Sequence, residues 1–154
     1  MRNSVTTLFT ALALMACMNG AMADNSLPQS PVSMATVLST LQKSGYTAMS
    51  EVKYDDGVYK AHVMNAKGEM FKVLVDAQTG KIIKMRHVRK TYPMPEQNMI
   101  SLQTALQDVE EAGYMQVSKV EFEPSHYEVK AVDKTGKEVK LAVDAATGAV
   151  TPDK

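Results

Sequence analysis

The sequence predicts an α+β fold of two tandem repeats, each one helix packed on a three- to four-stranded antiparallel β-meander. Three observations carry this: a short phrase written twice, a helical apolar period opening each copy, and a two-residue period following it. Residues 75–80 read VDAQTG and residues 143–148 read VDAATG. Sliding the chain against itself by 68 positions aligns 32–83 with 100–151 without a gap. Identities then fall at Ser33/Ser101, Gly45/Gly113, Tyr46/Tyr114, Val52/Val120, Tyr59/Tyr127, Lys72/Lys140 and Asp76/Asp144, among others. Two copies suit a closed two-lobed protein better than a solenoid, which needs three or more units.

Each copy opens with a helix. Ser33 and Ser101 can cap the first turn through their hydroxyls. Met34, Val37, Leu38, Leu41 and Leu102, Ala105, Leu106, Val109 follow the i, i+3, i+4, i+7 spacing of one buried face. Gly45 and Gly113 suit the left-handed residue past the helix end. The apolar period then becomes two. Ser50, Val52 and Tyr54 alternate with Glu51 and Lys53, and Ser118, Val120 and Phe122 alternate with Lys119 and Glu121. A second strand carries Tyr59, Ala61, Val63 or Tyr127, Val129, Ala131. A third carries Phe71, Val73, Val75 or Val139, Leu141, Val143. The opposite positions, including Lys60, His62 and Lys72, are largely polar, which predicts one covered and one wetter face for each sheet. Residues 65–68 and 133–136 read as hairpin loops ending in a left-handed glycine.

The doubled phrase reads as a tight turn. Asp76 and Asp144 can accept hydrogen bonds from amides two and three residues ahead, and Gly80 and Gly148 can take the positive φ that reverses the chain into a fourth strand. A metal or phosphate site is the competing reading, but one carboxylate without a phosphate-cradling glycine run is poor equipment for it. A unit of about 55 residues has a marginal core by itself, so the lobes are expected to pack on one another or share a sheet surface. The organisation is a signal peptide at 1–23, an N-terminal arm at 24–31, repeat 1 at 32–90, a linker at 91–99 whose two prolines favour an extended connector, and repeat 2 at 100–154.

The leader is read from Arg2, the apolar run 5–16 and the small-x-small pattern Ala21-Met22-Ala23, with cleavage expected after Ala23 and a periplasmic or secreted product. The only cysteine, Cys17, follows Leu14-Met15-Ala16, so a lipoprotein tethered to the membrane at Cys17 is the alternative. With cleavage after Ala23 the chain keeps no cysteine, and its stability must come from packing without disulfides.

Tyr127, Val129, Gly136-Lys137, Val139, Leu141 and the run Val143–Val150 resemble a PepSY domain, and the first copy shows the same frame from Tyr59 to Ile82. The resemblance covers both repeats. It implies an exported bacterial protein with a helix on an antiparallel sheet, and a family proposed to bind or inhibit peptidases. The arrangement is also similar to the tandem helix-and-sheet lobes of beta-lactamase inhibitory protein. The family supplies no catalytic residues to carry over, and a fold by itself hosts many functions.

Lys plus Arg and Asp plus Glu each number 17, so no global electrostatic case exists for nucleic acid. Nucleophilic catalysis finds little equipment. Outside the leader there is no cysteine, and the histidines are His62, His87 and His126, of which His62 and His126 are expected on exposed positions. No enzyme and no cofactor are expected. Met85, His87, Met94 and Met99 form a thioether and imidazole set that would suit copper(I), with Met85 and His87 on one strand face. The plainer account is that this methionine-rich sequence uses Met to fill core gaps. The segment 81–90 is locally basic, and Lys84, Arg86, Arg89 and Lys90 could dock an acidic partner or anionic lipid. The competing account is an edge strand guarded by charge. The expected function is an exported noncatalytic binding protein that docks a protein partner, a peptidase in the first instance. The alternative is an envelope sensor of a small ligand or copper.

Overall fold

The computed structural model describes residues 30–153. Repeat 1 runs α1 (Met34–Lys43), β1 (Tyr46–Asp55), β2 (Val58–Asn65), β3 (Met70–Asp76) and β4 (Ile82–Val88). Repeat 2 runs α2 (Leu102–Glu111), β5 (Met115–Glu123), β6 (His126–Val132), β7 (Glu138–Asp144) and β8 (Val150–Pro152). The leader and the lipid-modified-cysteine alternative lie outside the described residues.

Both helices start where their caps dictate. Ser33 Oγ accepts the Thr36 amide at 3.2 Å, and Ser101 Oγ accepts that of Thr104 at 3.1 Å. The anticipated apolar stripes, Met34, Val37, Leu38, Leu41 and Leu102, Ala105, Leu106, Val109, are buried on the sheet. Each helix is further tied down by a tyrosine of the second strand. Tyr59 donates its hydroxyl to the Val32 carbonyl at 2.6 Å, and Tyr127 donates to that of Ile100.

Each repeat forms the expected helix and antiparallel meander, of four strands, but the two meanders are not separate. One continuous antiparallel sheet of eight strands runs β4-β3-β2-β1-β5-β6-β7-β8. The first strands of the two repeats pair, Glu51 with Glu121, Val52 with Val120 and Lys53 with Lys119. Since 52 and 120 are equivalent positions, an approximate twofold axis passes between these two valines. The physical reason for the merger is burial. A lone unit would leave β1 as an open edge over a small core, whereas joining the edges produces one hydrophobic cluster from Met34 to Ala145. A β-bulge interrupts β1 between Met49 and Glu51, where adjacent Met49 and Ser50 are both buried, while the alternation anticipated from Ser50 to Lys53 holds. The matching irregularity in β5 holds Gln116 at φ 49°.

The doubled turn forms as anticipated. Asp76 Oδ1 accepts the Thr79 amide and hydroxyl, both at 2.7 Å, and Asp144 Oδ1 accepts those of Thr147 at 2.7 and 2.8 Å. The Gly80 amide closes on the Asp76 carbonyl at 2.9 Å, with φ 67° at Gly80. These turns also hold the helix entries, because the Val32 amide donates to the Ala77 carbonyl at 2.7 Å and Ile100 donates to Ala145 at 2.9 Å. Threonine hydroxyl and amide donors hold the carboxyls of Asp76 and Asp144 below the ordinary range.

Candidate functional site

The helices cover one face of the sheet, and strand alternation sends the neighbours of the core residues to the other. Two rows cross that open face in register. One runs Arg86, Lys72, His62, Glu51, Glu121, Glu128, Ala142 and Thr151 from β4 to β8. The next runs Lys84, Leu74, Lys60, Lys53, Lys119, Lys130 and Lys140 from β4 to β7.

Pairing Glu51 with Glu121 and Lys53 with Lys119 sets like charges opposite one another, an arrangement that costs stability unless diagonal contacts relieve it. Relief comes from Lys119, whose ammonium lies 2.5 Å from Glu121 and 2.9 Å from Glu128. Burial works against its charge, but the two carboxylates prevail and push its pKa up to about 12. Glu51 turns the other way, to His62 Nδ1 at 2.9 Å, and that hydrogen bond holds its carboxyl below the usual value. Lys60 is paired with Asp55. Among the described residues, Lys53, Lys72, Lys84, Arg86, Lys130 and Lys140 of these rows take part in no ion pair. The closest partners of the three carboxylates are therefore His62 and Lys119, while six further cations form a band across both repeats, with Lys53 near enough to Glu51, and Lys130 and Lys140 near enough to Glu128, to help hold those carboxyls down.

The connector after β4 touches this face. Tyr92 stacks on His62 with ring centroids 3.9 Å apart at 14°, and the ammonium groups of Lys90 and Lys72 stand 5.1 and 5.9 Å from the Tyr92 ring centroid. His62 is consequently covered, with 19 % of its side chain exposed, which corrects the expectation of a plain surface histidine. The stack pairs residues thirty positions apart through the strand register, which local sequence pattern does not encode.

The other candidates scatter. Lys84 and Arg86 are on the open face of β4, while Met85 and His87 point to the helix side. There Tyr46 directs its hydroxyl at Met85 Sδ at 4.0 Å, and His87 meets the Phe71 ring edge-on at 5.4 Å. Met99 packs against the core and lines a cleft of about 350 Å³ with Gln42, Thr47, Met64 and Leu102, whereas Met94 belongs to the connector. Met85 and His87 do share a face, but their contacts on that face are aromatic. Among the described residues no group of three His, Cys, Asp or Glu side chains could hold a metal ion. Arg89 and Lys90 follow β4 and are exposed, and Lys90 stands over the Tyr92 ring.

The twofold counterpart of the Met99 cleft, about 430 Å³, lies between the start of α1 and β5 and is lined by Met34, Tyr54, Tyr59, Glu110 and Gln116. Glu110 is the sole carboxylate among its lining residues, beside the phenols of Tyr54 and Tyr59. Ser125 Oγ sits 3.3 Å from His126 Nδ1 at an exposed hairpin end. These are chain neighbours, and Asp144, opposite His126 in the strand register, gives Oδ1 to its own turn.

The chain matches one family model in two places. The family model described as "Peptidase propeptide and YPEB domain" matches twice, over residues 5–86 and 90–154. No curated protein sequence matches the chain. Two solved structures are similar. One is a candidate lipoprotein from Clostridium difficile 630, at 14 % identity and TM-score 0.40, covering 80 % of this chain and 92 % of that one. The other is the YpmB protein from Bacillus subtilis, at 19 % identity and TM-score 0.36, covering 76 % of this chain and 91 % of that one.

Proposed function

The chain belongs to the PepSY family, of which it carries two domains in tandem, and from that membership and the open sheet face we propose that it is a noncatalytic docking protein working outside the cytoplasm. The observation that carries the reading is the band formed by Lys53, Lys72, Lys84, Arg86, Lys130 and Lys140. Six cations outside any ion pair, held on a rigid sheet, cost little ordering on association and attract an acidic surface. A protein partner with a complementary acidic patch satisfies them. A peptidase is the class to test first, because the family description joins these domains to peptidases. Docking would act by covering or positioning the partner's surface, with no bond made or broken by this chain.

The test is capture from native envelope extract with residues 24–154 as bait, beside a bait carrying Lys53→Glu, Lys130→Glu and Lys140→Glu. The proposal expects a stoichiometric partner on the first bait and its loss on the second. Equal retention by both baits, or a partner held by neither, contradicts it. Metal analysis of the same protein addresses copper: stoichiometric copper lost on changing Met85 and His87 would favour the sensor alternative.

A further inference from the structure

The two edges of the sheet differ, although the repeats that build them are equivalent. β8 has three residues, and Pro152 offers no amide for pairing. β4 has seven residues, about 23 Å of strand, with all of positions 83–87 exposed. It presents a row of unpaired backbone groups to solvent, the situation in which a sheet takes up another strand. Its side chains sort by face. Toward the helix side lies exposed Met85, at 60 %, beside Tyr46 and Phe71, and Ile83 at the adjacent bulge is 57 % exposed. Toward the open side lie Lys84 and Arg86, continuing the cationic rows.

From this sorting we infer that β4 accepts an extended segment of the partner by strand addition, and that this segment alternates apolar and acidic residues. The inference rests on the docking reading and specifies its mode. An incoming strand would set its apolar side chains against Met85 and its carboxylates against Lys84 and Arg86, while its backbone completes the ladder. A second copy of this chain is a poor occupant. Antiparallel pairing of β4 with itself places Lys84 and Arg86 of one copy against the same cations of the other, and directly opposed like charges are destabilising. The charges that guard this edge against self-association therefore select for an acidic strand.

The probe is a capped eight-residue peptide alternating Val and Glu, titrated into isotopically labelled residues 24–154 and followed by amide shifts and amide exchange. Strand addition is expected to slow exchange at the β4 amides that β3 leaves free. Lys84→Glu with Arg86→Glu should weaken binding at least tenfold, whereas Lys134→Glu with Lys137→Glu, exposed between β6 and β7 and outside the band, should leave it within twofold. A peptide with Lys in place of Glu should not bind. Shifts confined to β6 and β7, no binding, or protection of β4 by self-association without peptide would each overturn the inference. Loss of partner capture by the open-face triple variant alongside such a result would leave the docking proposal standing without this mode.

Discussion

Val52 and Val120, equivalent positions of the two repeats, are paired with each other across the junction of β1 and β5, and both are completely buried. The molecule is thus closed at its centre by a contact between a residue and its own repeat counterpart. A change on either side is felt by both halves. Val52→Ala and Val120→Ala should each cost roughly 2 kcal/mol, from two lost methyl groups and the cavity they leave. Denaturant unfolding should still show one transition in both variants. Two separated transitions in the unaltered protein would mean that the repeats fold independently.

The doubled turns should be equally important and individually modest. Asp76→Ala and Asp144→Ala each remove an acceptor for a threonine amide and hydroxyl, and each should lower the urea unfolding midpoint. The glycines should behave alike. Both sit at positive φ; a Cβ at Gly80 would meet Thr36 Cγ2 at an ordinary 3.5 Å, and one at Gly148 would make the carboxylate end of the Asp108 side chain swing aside. Gly80→Ala and Gly148→Ala should each cost about 1 kcal/mol, set by the strained φ.

Stability should fall at both ends of the pH scale. The carboxyls of Asp76, Asp133, Asp144, Glu51 and Glu128 are lowered in the folded protein, so their contribution is complete above the ordinary values of 3.8 and 4.5 and is lost as pH drops through the folded ones. Lys119 and Tyr127 are raised to about 12 from 10.5 and 10.0, so theirs is complete below pH 10 and is lost as pH climbs toward 12. Unfolding midpoints measured from pH 2 to 12 should trace a plateau between these flanks. A midpoint that keeps rising above pH 10 would contradict the environments assigned to Lys119 and Tyr127.

The connector should loosen when its aromatic anchor is removed. Tyr92→Ala deletes the stack on His62 and the ring under Lys90, at about 1 kcal/mol. Limited proteolysis should then cut within residues 91–99 faster than in the unaltered chain, with the repeats themselves unaffected.

Helices, caps, strand content and the repeated turn were legible because each is encoded within a few residues, as Ser33 with Thr36 and Asp76 with Thr79 show. The single sheet was not. Whether β1 meets β5 depends on which open edges bury most when joined, and the three-pair register at Val52 leaves no local signature. The cationic band was only partly legible for the same reason. Alternation marks Lys60 and Lys72 as outward, but only the register aligns Lys53 with Lys119 and Lys130 and shows which lysines their neighbours leave unpaired. Sequence drew attention to Lys84 and Arg86 because they stand in a basic run, and missed Tyr92 because its partner is thirty residues away.

The most direct measurement is the affinity of residues 24–154 for the captured partner as a function of salt, from about 50 to 500 mM. If the cations outside ion pairs carry docking, affinity should drop by at least tenfold over that range, and the Lys53→Glu, Lys130→Glu, Lys140→Glu bait should bind weakly throughout. An affinity that is indifferent to salt and to those three changes would contradict the account.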